Sequence, residues 1–488
     1  MTELELLAAG VVASGFGGDA FDEALPALGG YVLFARNCPS LPVVRALTDA
    51  LRRRRIGDAE PLVAIDQEGG RVLRLRDGVE PMPSMMALGA TGDAELARRA
   101  GEQTAFDLRR AGCTMNLAPV LDLALNAGNT VIGTRSLGSD PQRVAELGAA
   151  YAEGLSRGGV LACFKHFPGH GATAIDSHVA LPVIETDAQT LRARDLLPFA
   201  AVARGAAAVM SAHVVASAFD RRPASLSPAV GDGLLRRELG FDGALLSDCL
   251  QMGAVGSGNG SVPAGVDALR AGTDLLLVSD DVETARALVR AIAAAVRSGS
   301  LPRPRLEEAY ERVLRLRRSG AAPLALDGFP PHPGVGREIA RRAITVVRGV
   351  PHADPVACCA VDFGPDETRP DLTHEAPAIV HLPCPIDGGD QTALLARIAE
   401  TERRPIVLMR RAHLHAAQAA GVARILEAYP DAAVVSMLEP YDLPVALRAR
   451  HLLAAYGDDR ASLGGLADVL FGGSRPEGRL PVTVGLGV

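Results

Sequence analysis

From residue 29 to about residue 280, short apolar runs alternate with longer amphipathic segments, and this alternation restricts the fold more than any other feature of the chain. The runs are GYVLF, PLVAID, MNLAPVLD, VLACFKH, AAVMSAH, GALLSD and TDLLLVSD. Such a pattern is that of repeated β-α units around a parallel sheet. Seven or eight units predict an α/β fold built on a TIM-like (β/α)8 barrel rather than an open sheet. Nearly every run ends in a polar, charged or imidazole residue: Asp66, Asp122, Lys165 with His166, His213, Asp248 and Asp280. The carboxyl ends of barrel strands converge on one face, where residues read as catalytic or binding.

The segment LEEAYERVLRLRR, residues 306–318, has helical spacing and stops at Ser319-Gly320. Residues 321–335, AAPLALDGFPPHPGV, are too rich in proline for a regular element. The expected division is a barrel domain over 1–320, a linker over 321–336 and a smaller α/β layered domain over 337–488. In that last part AITVV, VACCAV, AIVHL, PIVLM and AAVVSM read as short buried strands, separated by helices such as residues 411–428. It carries no GxGxxG after its first strand and no phosphate loop, so no nucleotide cofactor is expected.

Composition removes several classes of function. No apolar run approaches the roughly twenty residues that span a bilayer, so no membrane partner is expected. A net charge of -7 offers no footprint for nucleic acid, and Arg52 to Arg55 read as a solvated helix end. The seven cysteines are scattered without CxxC spacing, which favours a reducing compartment, with Cys358 and Cys359 in the core. The opening MTELELLAAGVVASGFGG has acidic residues where a secretory signal needs basic ones, so a cytoplasmic location is expected. Of 50 basic residues only Lys165 is a lysine. Chance could place it there, as could a site that needs a compact ammonium where a planar guanidinium does not fit.

The densest cluster of reactive side chains is Lys165-His166-Phe167-Pro168-Gly169-His170-Gly171, followed by Asp176-Ser177-His178. His166 and His170 stand four apart, as in helical zinc sites, but Pro168 and Gly169 between them would disrupt that helix. A metal is therefore not expected. Asp176 and His178, two apart in extended chain, can share a face and hydrogen-bond. A carboxylate there would hold a proton on the imidazole near neutral pH, which suits an acid that later acts as base; the alternative is a surface pair. Asp248, at the end of an apolar run, reads equally as a helix N-cap or as a nucleophile on rigid backbone.

KHFPGHGATAIDSH, with AIDQEGGRVLRLR at 64–76 and ELGFDGALLSDCLQMGAV at 238–255, resembles family 3 glycoside hydrolases. Within that family the KHFPGHG and DSH elements are similar to those of bacterial β-N-acetylglucosaminidases of the two-domain type, and residues 456–484 resemble the second domain of many members. The resemblance implies Asp248 as nucleophile, His178 as acid/base and Asp176 as its orienting partner. It further implies that Asp66, Arg74, Arg135, Lys165 and His166 hold the sugar. Cys249 stands where a second Asp is common in the family. His170 is expected to be structural, bonding neighbouring backbone. With no tryptophan and 4% aromatic residues, the chain has few platforms for a polysaccharide, so a pocket for one terminal amino sugar is expected, with no cofactor. The competing readings are a phosphorylase using the same Asp and His, a metal-dependent barrel hydrolase, and a non-catalytic sugar-binding protein.

Overall fold

Eight parallel strands close into a barrel: β1 (Val12–Ser14), β2 (Gly30–Leu33), β3 (Leu62–Ile65), β4 (Met115–Asn116), β5 (Leu161–Phe167), β6 (Ala208–Ser211), β7 (Ala244–Cys249) and β8 (Leu275–Val278). Each strand pairs with its sequence neighbours, and β1 pairs with both β2 and β8 to complete the ring. The computed structural model describes residues 2–173, 181–255, 260–279, 281–320, 331–349, 353–365 and 370–486. The eighth strand, β1, lies ahead of residue 29. At 3 residues it is too short to stand out as an apolar run.

Strand alternation sorts each side chain to the barrel interior or to the surrounding helices. Ala13, Val32, Leu62, Ala64, Met115, Cys163, Ala208, Met210, Ala244, Leu246, Leu275 and Leu277 fill the interior. Their neighbours Tyr31, Leu33, Val63, Ile65, Val209, Leu245 and Leu276 pack outward under the helices. Val313 and Leu316, from the helix Arg303–Gly320, join the interior cluster and fill it from below. That helix contains the expected segment 306–318. Helices Ala94–Arg110 and Pro141–Arg157 start on Asp93 and Asp140, whose carboxylates accept backbone amides of the first turn.

Of the expected linker, residues 321–330 lie outside the described residues, and the helix Val335–Ala343 opens the second domain. Its sheet has six strands: β9 (Thr345–Arg348), β10 (Cys358–Phe363), β11 (Val380–Cys384), β12 (Arg404–Met409), β13 (Ala433–Ser436) and β14 (His451–Ala454). The order is β9-β14-β13-β12-β10-β11, with β9 antiparallel at one edge and every other pair parallel. Five of these strands are the expected runs; β14, opening on a histidine, is an addition. The helix expected over 411–428 is interrupted. Arg411 takes a left-handed conformation (φ 53°, ψ 35°), Ala412–Leu414 form one tight turn, and the helix proper is Ala416–Ala428. Cys358 and Cys359 are buried, as expected.

Asp442 is enclosed in the second domain: Oδ2 accepts the Ala412 amide at 3.3 Å, and Oδ1 has no hydrogen-bond partner among the described residues. Burial pushes its carboxyl up to about 7, with the nearby Glu439 charge adding to the rise. A carboxyl that holds its proton more tightly when folded adds stability below its ordinary pKa, and that stability is lost as pH rises through the folded value. The native protein should therefore lose about 2–4 kcal/mol between pH 5 and pH 8.5 through this group. Urea unfolding of Asp442→Asn should lack that part of the slope; an unchanged slope would remove Asp442 as its source.

The two domains meet through specific pairs. Arg342 reaches Asp93 at 3.0 Å, Arg99 reaches Glu338 at 3.0 Å, and Ser84 Oγ donates to the Tyr456 carbonyl at 2.6 Å.

Candidate active site

A cavity of about 200 Å³ at the carboxyl end of the barrel is lined by Asp66, Arg74, Arg135, Lys165, His166 and Asp248. All six are residues that the sequence singles out. Asp176 and His178, the remaining two, lie outside the described residues. Three of the six follow directly from strand alternation. Asp66 continues the inward series Leu62, Ala64; Lys165 follows Cys163; Asp248 follows Ala244, Leu246. Phe34, Leu117 and Ser279 continue the inward sides of β2, β4 and β8 and also line the cavity. The register of β5 against β6 shifts between Phe164 and Phe167, and His166 faces the cavity beside Lys165.

Arg74 and Glu68 come from the chain after β3, where Gln67–Gly69 and Val72–Leu73 form a small hairpin. Gly69 (φ 118°) is required there, since a Cβ would stand 2.2 Å from the Pro83 carbonyl oxygen. Arg135 ends the one-turn helix Gly133–Arg135 in the long loop after β4.

Charges interlock around the cavity. Lys165 Nζ donates to Asp66 Oδ1 at 2.7 Å and to Glu68 Oε1 at 2.5 Å. Arg135 binds Glu68 through two nitrogens, at 2.8 and 2.9 Å, and Arg74 reaches Asp66 Oδ2 at 3.4 Å. His166 Nδ1 lies 2.6 Å from Asp122 Oδ2, and Asp122 also accepts the His170 amide at 2.6 Å. Lys165 was expected to give its protons to a sugar; two of its three are already on carboxylates, leaving one for a ligand. Its side chain is only 2% exposed, with the compact ammonium held between those carboxylates.

Glu68 and Asp122 were missed as members of the site. The signal for Glu68 was its place two residues after Asp66 within AIDQEGGR, so that both carboxylates reach one lysine. Asp122 was noted only as a residue ending an apolar run. The backbone amide of His170 donates to Asp122, and its ring Nδ1 lies 3.0 Å from Thr173 Oγ1, so it ties the loop to Asp122 rather than simply bonding adjacent backbone.

Of these carboxylates, Asp66 and Glu68 are each ion-paired with a described basic side chain and Asp122 binds the His166 ring, whereas Asp248 has no such partner among the described residues. Its Oδ1 accepts the Cys249 amide at 2.7 Å. Burial alone would raise the Asp248 carboxyl, but His166, His213, the Cys249 amide and Lys165 together hold it below the ordinary aspartate value. His213 is itself pushed down by burial and so is neutral at neutral pH, which leaves His166, the Cys249 amide and Lys165 as the groups that lower Asp248. His213 Nδ1 lies 2.7 Å from Ser225 Oγ and Nε2 lies 2.9 Å from the Cys249 carbonyl, which fixes the end of β7 beside Asp248. Burial raises the Asp66 carboxyl and Lys165 and Arg74 lower it, with a net fall; Asp66 is therefore ionised as well.

Among the described residues, no group of three or more His, Cys, Asp and Glu side chains is arranged to hold a metal ion. His166 lies on a strand and His170 beyond it, with ring centroids 6.4 Å apart. No helix among the described residues is long and apolar enough to cross a membrane.

Carboxylates and cations gathered at the carboxyl end of a closed parallel barrel form the site of a barrel enzyme. Residues 24–316 match the Glycosyl hydrolase family 3 N terminal domain, and the chain belongs to glycosyl hydrolase family 3. It is similar to a Beta-hexosaminidase of Chromobacterium violaceum, 40% identical over 296 residues that cover 59% of this chain and 80% of that protein. The solved glycoside hydrolase family 3 β-N-acetylglucosaminidase from Paenibacillus sp. str. FPU-7 is 32% identical, with a TM-score of 0.90 and 100% of both chains covered. NagZ from Neisseria gonorrhoeae, solved in complex with N-trifluoroacetyl-D-glucosamine, is 32% identical with a TM-score of 0.53, covering 63% of this chain and 97% of that one. The first solved structure matches across both domains; the second matches over a length close to that of the barrel alone.

Proposed function

We propose that this glycoside hydrolase is a retaining exo-β-N-acetylglucosaminidase that removes terminal β-linked N-acetylglucosamine from short amino-sugar glycosides, such as peptidoglycan fragments or chitooligosaccharides, in the cytoplasm. The observation that carries the reading is Asp248: an ionised carboxylate facing the cavity from a rigid strand end, with no described basic side chain paired to it. Its lone pairs remain available to a reacting carbon. The names of the relatives supply the 2-acetamido sugar, and a cavity of about 200 Å³ fits one sugar residue rather than a chain.

In this mechanism Asp248 attacks the anomeric carbon while the bond to the aglycone oxygen breaks and that oxygen takes the proton of His178. His178, oriented by Asp176, then removes a proton from water, whose oxygen displaces Asp248 and regenerates the carboxylate. Asp66 accepts sugar hydroxyls, Lys165 donates its one uncommitted proton, and Arg74, Arg135 and His166 complete the polar wall. No cofactor or metal takes part.

A panel of aryl β-glycosides with and without the 2-acetamido group, run in phosphate and in phosphate-free buffer, tests the proposal. Release of N-acetylglucosamine, initially as the β anomer, from the acetamido substrates alone is the expected result. The 1-phosphate as product would assign a phosphorylase instead, and indifference to the acetamido group would overturn the substrate assignment. His178→Ala should slow glycosides of poor leaving groups about 10²–10⁴-fold while sparing nitrophenyl substrates, which need little protonation. Equal losses on both would remove His178 from the acid/base role.

A further inference from the structure

Arg410 and Arg411 are adjacent in the second domain, yet their side chains meet different partners: Arg410 shares Asp458 with Arg71 of the barrel hairpin, and Arg411 reaches the loop after β4. Arg410 is 4% exposed; its Nε donates to Asp458 Oδ2 at 3.1 Å, and its NH1 group donates to the Phe363 carbonyl at 2.9 Å and to Asp362. Arg71, at the tip of the hairpin that presents Glu68 and Arg74, reaches the same Asp458 oxygen at 3.1 Å. Arg411 binds Glu439 through two nitrogens, at 2.9 and 2.7 Å, and donates to the Thr130 carbonyl at 3.4 Å. Thr130 belongs to the loop that supplies Val131, Ile132 and Arg135 to the cavity. The left-handed backbone at Arg411 separates the two side chains.

Contact with the second loop is close. A Cβ at Gly133 (φ 44°) would stand 2.0 Å from Glu439 Oε1, so the carboxylate presses on the backbone two residues before Arg135. His413 Nε2 lies 3.1 Å from the Ala127 carbonyl, and the Tyr441 hydroxyl donates to the Ala124 carbonyl at 2.9 Å. Glu439 is 4% exposed, and both its oxygens face one guanidinium.

We propose that the second domain is a positioning device for the sugar pocket, with Arg411 and Glu439 setting the loop that carries Arg135 and Arg410 with Asp458 setting the hairpin that carries Glu68. The inference rests on the assignment of the cavity as the sugar site. Neither arginine lines the cavity; both act on it through Glu68 and Arg135, which bind each other directly in its lining.

Gly133→Ala and Glu439→Ala, made singly and together, test the contact. Gly133→Ala alone should raise KM for a nitrophenyl N-acetyl-β-glucosaminide about tenfold or more, because the added methyl meets the Glu439 carboxylate and displaces the loop, on top of the penalty of the left-handed backbone. In the Glu439→Ala background the clash with the carboxylate is gone and only the penalty of the left-handed backbone remains, so the same substitution should cost several-fold less in KM than in the native chain. Equal penalties in both backgrounds, or a fall in kcat that tracks Tm, would overturn the proposal. Hydrogen exchange provides a readout that needs no turnover. Arg411→Ala should speed exchange over 124–133 and leave 67–73 unchanged, Arg411→Lys should restore part of the protection, and Asp458→Asn should show the reverse pattern. If the native enzyme splits no 2-acetamido glycoside, the functional assignment fails, while the exchange pattern still decides the positioning role.

Discussion

Asp248→Ala is expected to lower kcat at least about 10⁴-fold on every substrate, with the fold intact. Removal of the carboxylate deletes the group proposed to form the glycosyl bond, and no described neighbour is placed to replace it: Asp66 and Glu68 are committed to cations and Asp122 to the His166 ring. The substitution should not destabilise the chain, because the Asp248 carboxylate has no ion pair to lose among the described residues. Added azide, small enough to enter the vacated space, should restore part of the turnover and give the α-glycosyl azide from a β-glycoside. Activity within about tenfold of the native enzyme would exclude Asp248 as nucleophile.

Glu68→Gln should be the most damaging substitution to stability at the site, at about 3–5 kcal/mol in urea unfolding. The Glu68 side chain is fully enclosed, with Arg135 held through two nitrogens and Lys165 at 2.5 Å. Glutamine keeps the shape but leaves two buried cations sharing the charge of Asp66 alone. Burial by itself would raise the Glu68 carboxyl, but Arg135 and Lys165 hold it far below the ordinary glutamate value. A group depressed in this way gives stability that is present above its ordinary pKa and lost as pH falls toward the folded value. The stability difference between native and Glu68→Gln proteins should therefore be full and constant above about pH 5 and shrink as pH falls below it. A difference below about 1 kcal/mol at neutral pH would mean that the pair is no stronger than a surface one.

Much of the site could be read from the alternation of strands. Once Leu62 and Ala64 are inward, Asp66 must be, and the same parity places Lys165 and Asp248 in the cavity and turns His213 into the wall behind them. The sequence runs located seven strands but not β1, because three residues between glycines carry too little apolar signal. Parity also cannot say which cation meets which carboxylate. Lys165 reads as a sugar ligand until Glu68 is seen beside it, and the pairing of Arg135 with Glu68 depends on two loops meeting in space. The second domain's six-stranded sheet was legible in outline, but its grip on the barrel was hidden. Arg410 and Arg411 look like the start of a helix, and only the left-handed turn between their side chains reveals that they serve different walls.

Met210, Leu246 and Leu277 pack the barrel beneath the cavity, with Val313 and Leu316 under them, so the chamber is blind. A sugar that enters must leave by the door through which it came. Under the proposed mechanism an aglycone nearer the entrance would stand in that doorway and would have to depart before water could reach the trapped glycosyl group or the freed sugar could escape. Turnover on bulky aglycones should then be paced by clearance of the doorway, and a dead end that no threaded polymer could pass supports the proposed action at chain ends.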